Sequence, residues 1–565
     1  MPVDLAEDSL ELTIELLEAG RPTATSHPFP SLKRSERQEQ RTFRTVVLEN
    51  AYLRATIAPE LGGRILRLED KRAKLDAIPF DPVLALVEGG LRGATSPAGI
   101  QVATGFEHRL NSMGSVSYMP DFTEGEDEPS ALWWGEVCGD GLSLNVRYSM
   151  PTDQAYIEIE VRAFNRSLRP TPYNGGLAIS GDWIKTEAGW LLGSGLFIES
   201  DSIGFGETSG VYRFNRTRFL APRQLDAWKA RIYPYAGVEN LRAANSQLAV
   251  GWDRKLLTLS ASEEILNAKV VVLTDKDATL EVPVDLRPEH FAEIPLDSLA
   301  DQVVELVVLD ARKNELIRAN QLGTPLKQQR EAQDSAPLEL DRADLQQATF
   351  EVEHRHLAHL LIGYRQIGEK EYVRAAQAFE QSLLFNAEDH LTWWMKSLAE
   401  RLAGGEEDER PEILNAHFLA PLEPALRAES YLASPSQVKE KAAVLSPLEP
   451  FPEHFIEVVC LLLEAGLLEE TAKWIDEALR HADLPMLRYL LAYAYLKGSR
   501  MEVQAAEQLQ MAVSPGAQPP YPWRDMEREA LQFLAKKFPA DGSLSRMLAM
   551  SNVRSVRLKQ NANHG

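Results

Sequence analysis

A chain of 565 residues exceeds one ordinary core, so two to four domains are expected. Its 44% hydrophobic and 25% charged residues describe a folded, soluble protein, and a formal charge of -23 argues against a nucleic-acid surface, which needs clustered Lys and Arg. Cys138 and Cys460 lie far apart in sequence, which fits a reducing compartment without a disulfide framework.

The opening stretch "MPVDLAEDSLELTIELLEAG" is acidic and lacks both a basic and an apolar signal region. No run is long enough to cross a bilayer, so the expected location is cytoplasmic and no membrane partner is expected. Residues 20–42 are polar and broken by prolines, and residues 1–42 read as an N-terminal arm. The "NRS" at Asn165 and "NRT" at Asn215 match glycosylation acceptors by coincidence, since no secretion signal accompanies them.

From Phe43 the texture turns to β. "TVVLENAYLRATIA", "LSLNVRYSM", "AYIEIEVRAFN" and "QLAVGWDRKLLTLSA" alternate with period two between turns rich in Gly, Pro, Asp and Asn. An antiparallel sandwich over residues 43–322 is expected. A subtler break near Ala261 leaves residues 262–322 as either its last part or a small β module of their own.

Residues 323–348 are charged, lack sustained alternation and read as a linker; residues 349–565 are helical in pattern. Short helices joined by Gly turns, with Gly363, Tyr364, Ala375 and Phe379 in one unit and Gly466, Trp474 and Ala478 in another, resemble tetratricopeptide (TPR) repeats of about 34 residues. A small TPR-like α-solenoid offering a surface to a protein partner is the expectation.

Nucleotide-loop, dinucleotide, zinc-protease and hydrolase signatures are absent from the sequence, and no cofactor is expected. His354, His356 and His359 do not complete a tetrahedral metal set by spacing. Glu107, His108, Arg109 and Asn111 form a dense polar group in "ATGFEHRLNSMG"; a histidine and a carboxylate are what proton transfer between sugar oxygens requires. Adjacent residues on a regular strand face opposite ways, so Glu107 and His108 share a pocket only in a loop or bulge. Trp133 and Trp134, Asp182 with Trp183 and Trp190, and Trp252 with Asp253 are either sugar-stacking groups or ordinary sandwich core.

The stretch "VVLENAYLRATIAPELGGRILRLEDKRAKLDAIPFDP" (46–82) resembles the start of a bacterial family of uncharacterised proteins, DUF5107. "GGLRGATSPAGIQVATGFEHR" and "FNRSLRPTPY" resemble its second and third blocks. The resemblance implies a galactose mutarotase-like antiparallel β-supersandwich, with TPR-like repeats behind it in many members. It implies a carbohydrate or sugar-like ligand and carries over onto Gly62, Gly63 and Arg64, with Gln101 at a further family position; with these, Arg109, Asn111, Asp182, Trp183 and Trp252 of the polar and aromatic groups above are the expected ligand-binding residues. His108 stands at the family's histidine and is the implied catalytic residue of any aldose-epimerase-type activity; Glu107 is its expected partner from the residue reading alone. Gln101 stands where the family has glutamate, and Gly175–Gly176 where it has two tryptophans, so the chemistry and an aromatic surface are both in question. Glu239, Glu263 and Glu293 are candidates for a late-strand base. Two functions remain open: a carbohydrate-binding protein with weak or lost epimerase-type activity, and a non-catalytic protein-interaction scaffold.

Overall fold

The computed structural model describes residues 3–21, 30–78, 80–85, 87–88, 94–96, 98–103, 114–122, 129–137, 141–180, 183–185, 189–192, 195–200, 204–208, 211–235, 237–252, 255–274, 279–296, 303–320, 355–404, 412–433, 444–498, 501–512 and 522–551. A β-rich region is followed by a helical one.

The first sheet runs in the order β18 (Gly204–Thr208), β19 (Val211–Leu220), β14 (Thr171–Ser180), β9 (Ile100–Ala103), β4 (Arg64–Asp70), β3 (Leu53–Ala58), β2 (Leu32–Glu49), β1 (Asp4–Ala19) and β6 (Val83–Leu84). Strand β5 (Leu75–Asp76) pairs on β4, and β7 (Val87–Glu88) pairs with β8 (Ala94–Thr95). The second sheet runs β10 (Ser117–Phe122), β11 (Pro129–Val137), β12 (Leu142–Ser149), β13 (Ile157–Asn165), β20 (Leu225–Pro234), β17 (Leu196–Ser200), β16 (Trp190–Leu192) and β15 (Trp183–Lys185).

Alternation decides which face of each strand is apolar. Ile157, Ile159 and Val161 of β13 are fully buried between the sheets, so Glu158, Glu160 and Arg162 face outward. From the first sheet Ile57, Ile65, Ile100, Val102, Leu177 and Ile179 enter the same core. This is a two-layer sandwich.

The N-terminal arm is a strand pair. Residues 4–19 pair antiparallel with 32–49, and Thr13 and Ile14 pair with Val83 and Leu84. The segment 32–42, part of the polar, proline-broken stretch 20–42, is therefore extended chain.

The small β module also starts earlier than Ala261. β21 (Leu241–Ala244), β22 (Leu248–Trp252), β23 (Leu256–Ala261) and β26 (Ala292–Pro295) form one sheet; β24 (Ile265–Thr274), β25 (Thr279–Leu286), β27 (Val303–Leu309) and β28 (Glu315–Asn320) form another. Leu248, Val250, Leu259, Val270, Val272 and Val308 give this pair of sheets its own core.

The described helices are α1 (Arg355–Gly368), α2 (Tyr372–Phe385), α3 (His390–Leu402), α4 (Glu412–Leu419), α5 (Pro424–Ala433), α6 (Glu453–Glu464), α7 (Leu468–His481), α8 (Pro485–Gly498), α9 (Glu502–Met511), α10 (Asp525–Lys537) and α11 (Gly542–Ser551). The small-residue logic of the sequence holds: a side chain at Gly363 of α1 would collide with the ring of Phe379 on α2. Gly466, at φ 75°, makes the turn between α6 and α7.

The helices dock on the outer face of the second sheet. Leu422 N–H donates to Asn145 Oδ1 at 3.2 Å, Arg162 donates to the Leu419 carbonyl at 3.1 Å, and Phe164 lies 4.1 Å from the His390 ring, centroid to centroid. Buried ions cross the junction, where Arg166 reaches Glu457 at 2.9 Å and Glu423 at 3.2 Å; within the helical region Arg524 reaches Glu457 at 2.6 Å. Asn165, one of the two glycosylation matches, is fully buried and donates to the carbonyls of Arg169, Leu220 and Ala221.

Candidate functional site

"PELGGRI" builds one end of the candidate site. Pro59–Leu61 form a single 3-10 turn, and Gly62 and Gly63 follow at φ 77° and 69°, a left-handed region that side chains resist. Gly63 N–H returns to the Ala58 carbonyl at 3.1 Å, and a Cβ there would stand 2.6 Å from the buried Trp134 ring. The turn delivers Arg64 at the first position of β4.

Arg64 is fully buried. Its Nε donates to the Leu61 carbonyl at 2.9 Å, and Nη1 donates to the carbonyls of Ser96 and Ala98 at 2.9 and 3.0 Å. Its Nη2 donates to Gln101 Oε1 at 3.2 Å. The guanidinium clamps the turn to the chain entering β9, and Nη2 donates to Gln101.

That last bond sets the orientation of the Gln101 amide. A guanidinium only donates, so the glutamine oxygen faces Arg64 and its NH2 faces away. Gln101 is partly exposed, and its NH2 has no partner among the described residues.

Ile65 pairs with Ile100 on the core side, so Arg64 and Gln101 stand side by side on the outer face. The register carries this row on through Ala178, Arg213 and Gly206. The next row pairs Ala103, Gly176, Asn215 and Gly204. On β9 and β14 the fixed amide is flanked by the small residues Ala103, Gly176 and Ala178. Sequence reading missed the row because it joins residues from 64 to 213 along the chain; only the period-two alternation of "TPYNGGLAIS" and "VYRFNRTRFL" signals it.

The glycine pair divides between the two faces. Gly175 lies on the core side under Tyr173, whose hydroxyl accepts from Trp228 Nε1 at 2.8 Å, and any side chain at 175 would collide with that ring. Only Gly176 belongs to the outer row, so an aromatic is absent from that face at one position and not two.

The remaining candidates are scattered. Glu107, His108, Arg109, Asn111 and Asp182 lie outside the described residues, and so does the side chain of Trp183. Trp252 is 2% exposed within the core of the small β module, so it is a packing residue with no ring face for a ligand. Trp134 faces the sandwich core, and Trp133 faces outward under the Arg162 guanidinium at 4.9 Å. Glu263 accepts from Gln154 and Gln247 at 2.8 and 2.9 Å, Glu293 is exposed on β26, and Glu239 precedes β21; none lies on the first sheet. His356 lies 3.4 Å from the Pro222 carbonyl and His359 stacks on Phe385, so the two rings have different surroundings.

With this geometry in place, comparison with known proteins bears on the segment that builds the row. Residues 23–178 match the family described as "Domain of unknown function (DUF5107)". The chain carries a DUF5107 domain. The match takes in the Gly62–Gly63 turn, Arg64, Gln101 and most of β14, so three of the strands meeting at the row (β4, β9 and β14) lie in or border the DUF5107 segment. Similar solved structures include a TPR-domain protein from Parabacteroides distasonis, at 12% identity over 92% of this chain and 97% of that one, with a TM-score of 0.29. They also include a putative aldose 1-epimerase from Escherichia coli K12, at 8% identity over 33% of this chain and 97% of that one, with a TM-score of 0.23. A galactose mutarotase-like protein from Lactobacillus casei matches at 11% identity over 44% of this chain and 86% of that one, with a TM-score of 0.18.

Among the described residues no helix is long and apolar enough to cross a membrane.

Proposed function

We propose that the protein binds a carbohydrate on the outer face of its first sheet and that position 101 serves binding, not proton transfer. The observation that carries this is the Arg64–Gln101 bond, which fixes an amide NH2 on the face that also carries Ala103, Gly176 and Ala178. A neutral amide donor suits a hydroxyl or ring oxygen. Glutamine has no titratable proton to exchange with one. The resemblance of residues 46–82 to a family with a mutarotase-like domain supports the ligand class. Any epimerase-type chemistry would fall to His108 and Glu107, with Gln101 orienting the sugar.

Calorimetry of the full chain against a panel of monosaccharides at millimolar concentration tests the proposal. Binding that weakens about tenfold in Gln101→Ala, with the melting temperature preserved, is expected. Absence of binding across the panel, or affinity indifferent to Gln101→Ala, overturns it.

A second reading, a protein-interaction scaffold, is favoured by the exposed apolar side chains of Leu361, Leu384 and Phe385 on α1 and α2. A purified partner whose affinity drops on Leu384→Glu, together with no sugar binding, would decide for that reading.

A further inference from the structure

The sandwich holds a separate cavity of about 270 Å³, lined by residues that include Ser149, Met150, Thr152, Tyr156 and Glu158. It sits at the edge of the sandwich, where β12 and β13 meet Val3 just before β1. Glu158 is on the outer face of the second sheet, because its neighbours Ile157 and Ile159 enter the core. Gln101 is on the outer face of the first sheet and does not line this cavity, so the two places are distinct.

The charges around the cavity are already matched. Arg147 pairs with Asp121 at 2.6 Å, and Glu158 pairs with Lys229 at 3.0 Å and Arg231 at 2.9 Å. An ionic ligand would have to displace one of these pairs. The hydroxyls of Ser149, Thr152 and Tyr156, in contrast, have no hydrogen-bond partner among the described residues. Val3 and Met150, each about 5% exposed or less, supply apolar wall. Tyr156 adds an aromatic ring, held by Arg231 at 5.4 Å and by Tyr233 at 5.2 Å.

Spare hydroxyls, an aromatic ring, an apolar wall and no spare charge together describe a receptor for a neutral polyhydroxylated ring. The volume is just under the range of about 300–1,000 Å³ usual for small-molecule sites, which suits one ring and not a buried oligomer. We infer that this cavity is a second, independent carbohydrate site that takes a single neutral sugar unit at the edge of the second sheet.

The inference stands on its own geometry and is separable from the Gln101 site. Saturation-transfer NMR and calorimetry on the full chain would use methyl α- and β-glycosides of glucose, galactose and mannose as probes. Binding that persists in Gln101→Ala, falls at least tenfold in Ser149→Trp, which fills the cavity, and falls about threefold in Tyr156→Phe is expected. Tyr156→Phe removes one hydroxyl and nothing else, so it decides the matter should Ser149→Trp fail to fold. No binding of any probe to the wild type, or binding unchanged in both cavity variants, overturns the inference whatever Gln101→Ala does.

Discussion

The Nδ1 atom of His454 stands 2.7 Å from the hydroxyl of Ser117, joining the first turn of α6 to β10 across the junction between sandwich and helices. Val137 N–H donates to Nε2 of the same ring at 3.2 Å, so Nε2 carries no proton and Nδ1 donates to Ser117. Burial, helped by Arg166 and Arg524, holds this imidazole down at about 4 against its ordinary 6.5. Between those values the unfolded chain binds the proton and the folded one does not. The stability His454 supports is present above pH 6.5 and is lost as pH falls toward 4, on the order of 3 kcal/mol in full.

Its neighbour Glu453 works in the other direction. Burial, with Glu527 and Glu457 nearby, outweighs Arg524 and pushes this carboxyl up to about 7 from an ordinary 4.5. Here the folded state holds the extra proton, so stability falls as pH rises from 4.5 through 7. The two windows overlap and largely cancel in the wild type. Glu453→Gln removes the opposing slope, so the variant should lose stability on acidification from pH 7 to 4.5 more steeply than the wild type. His454→Gln should do the reverse and weaken as pH rises. Denaturant midpoints measured at half-unit intervals across this range check both; parallel profiles for all three proteins would refute the assignment.

Arg166 is the centre of the same junction. It donates to Glu457 Oε2 at 2.9 Å and Glu423 Oε1 at 3.2 Å, with all three side chains 8% exposed or less. Burial raises the Glu423 carboxyl, but Arg166 and His390 outweigh it and hold the group at about 2. Arg166→Met would strand this carboxylate, at a cost of about 3–5 kcal/mol. Adding Glu423→Gln should restore part of that loss, because it removes the unpaired charge and keeps the shape. Chemical denaturation of the two singles and the double gives the coupling; additive losses would mean that the pair is not linked.

How much of this could be read from the sequence follows from the distances along the chain. The β13 strand was legible in "AYIEIEVRAFN" because one face meets the core and the other does not. The β1–β2 pair was not, since most residues of 32–42 are exposed or half-buried and carry no apolar period. Arg64 could be read as a turn arginine, but its carbonyl partners at 96 and 98 come from a segment with no strand signal. The junction ions were illegible because Arg166 and its two glutamates lie 257 and 291 residues apart. The likeness of "PELGGRI" to a family marked the turn; which groups the turn holds in place required the fold.

Arg64 gives the prediction that separates structure from binding. Its three carbonyl contacts need the rigid fork of a guanidinium, and a lysine ammonium is a point donor that reaches fewer of them. Arg64→Lys should lower the stability of the β region by about 2–3 kcal/mol, each lost bond to a charged donor contributing about 1.5–3 kcal/mol. It should also free the Gln101 amide to flip, so sugar affinity falls with it. A variant with unchanged melting temperature and reduced affinity would make Arg64 a ligand residue and not a clamp.

Gly63 tests the turn itself. Its φ of 69° penalises any side chain, and a Cβ would stand 2.6 Å from the Trp134 ring, which is fully buried in the core. Trp134 cannot swing away, because Leu132, Val146 and Tyr148 pack in the same interior. Overpacking of this kind costs about 1–3 kcal/mol, and the left-handed backbone adds about 1 kcal/mol. Gly63→Ala should therefore destabilise the chain by about 2–4 kcal/mol and alter the Trp134 near-ultraviolet signal. Gly62→Ala, with the same backbone strain, should cost less if no comparable ring opposes it. Equal losses at the two positions would show that backbone conformation alone, and not the approach of Trp134, demands the glycine.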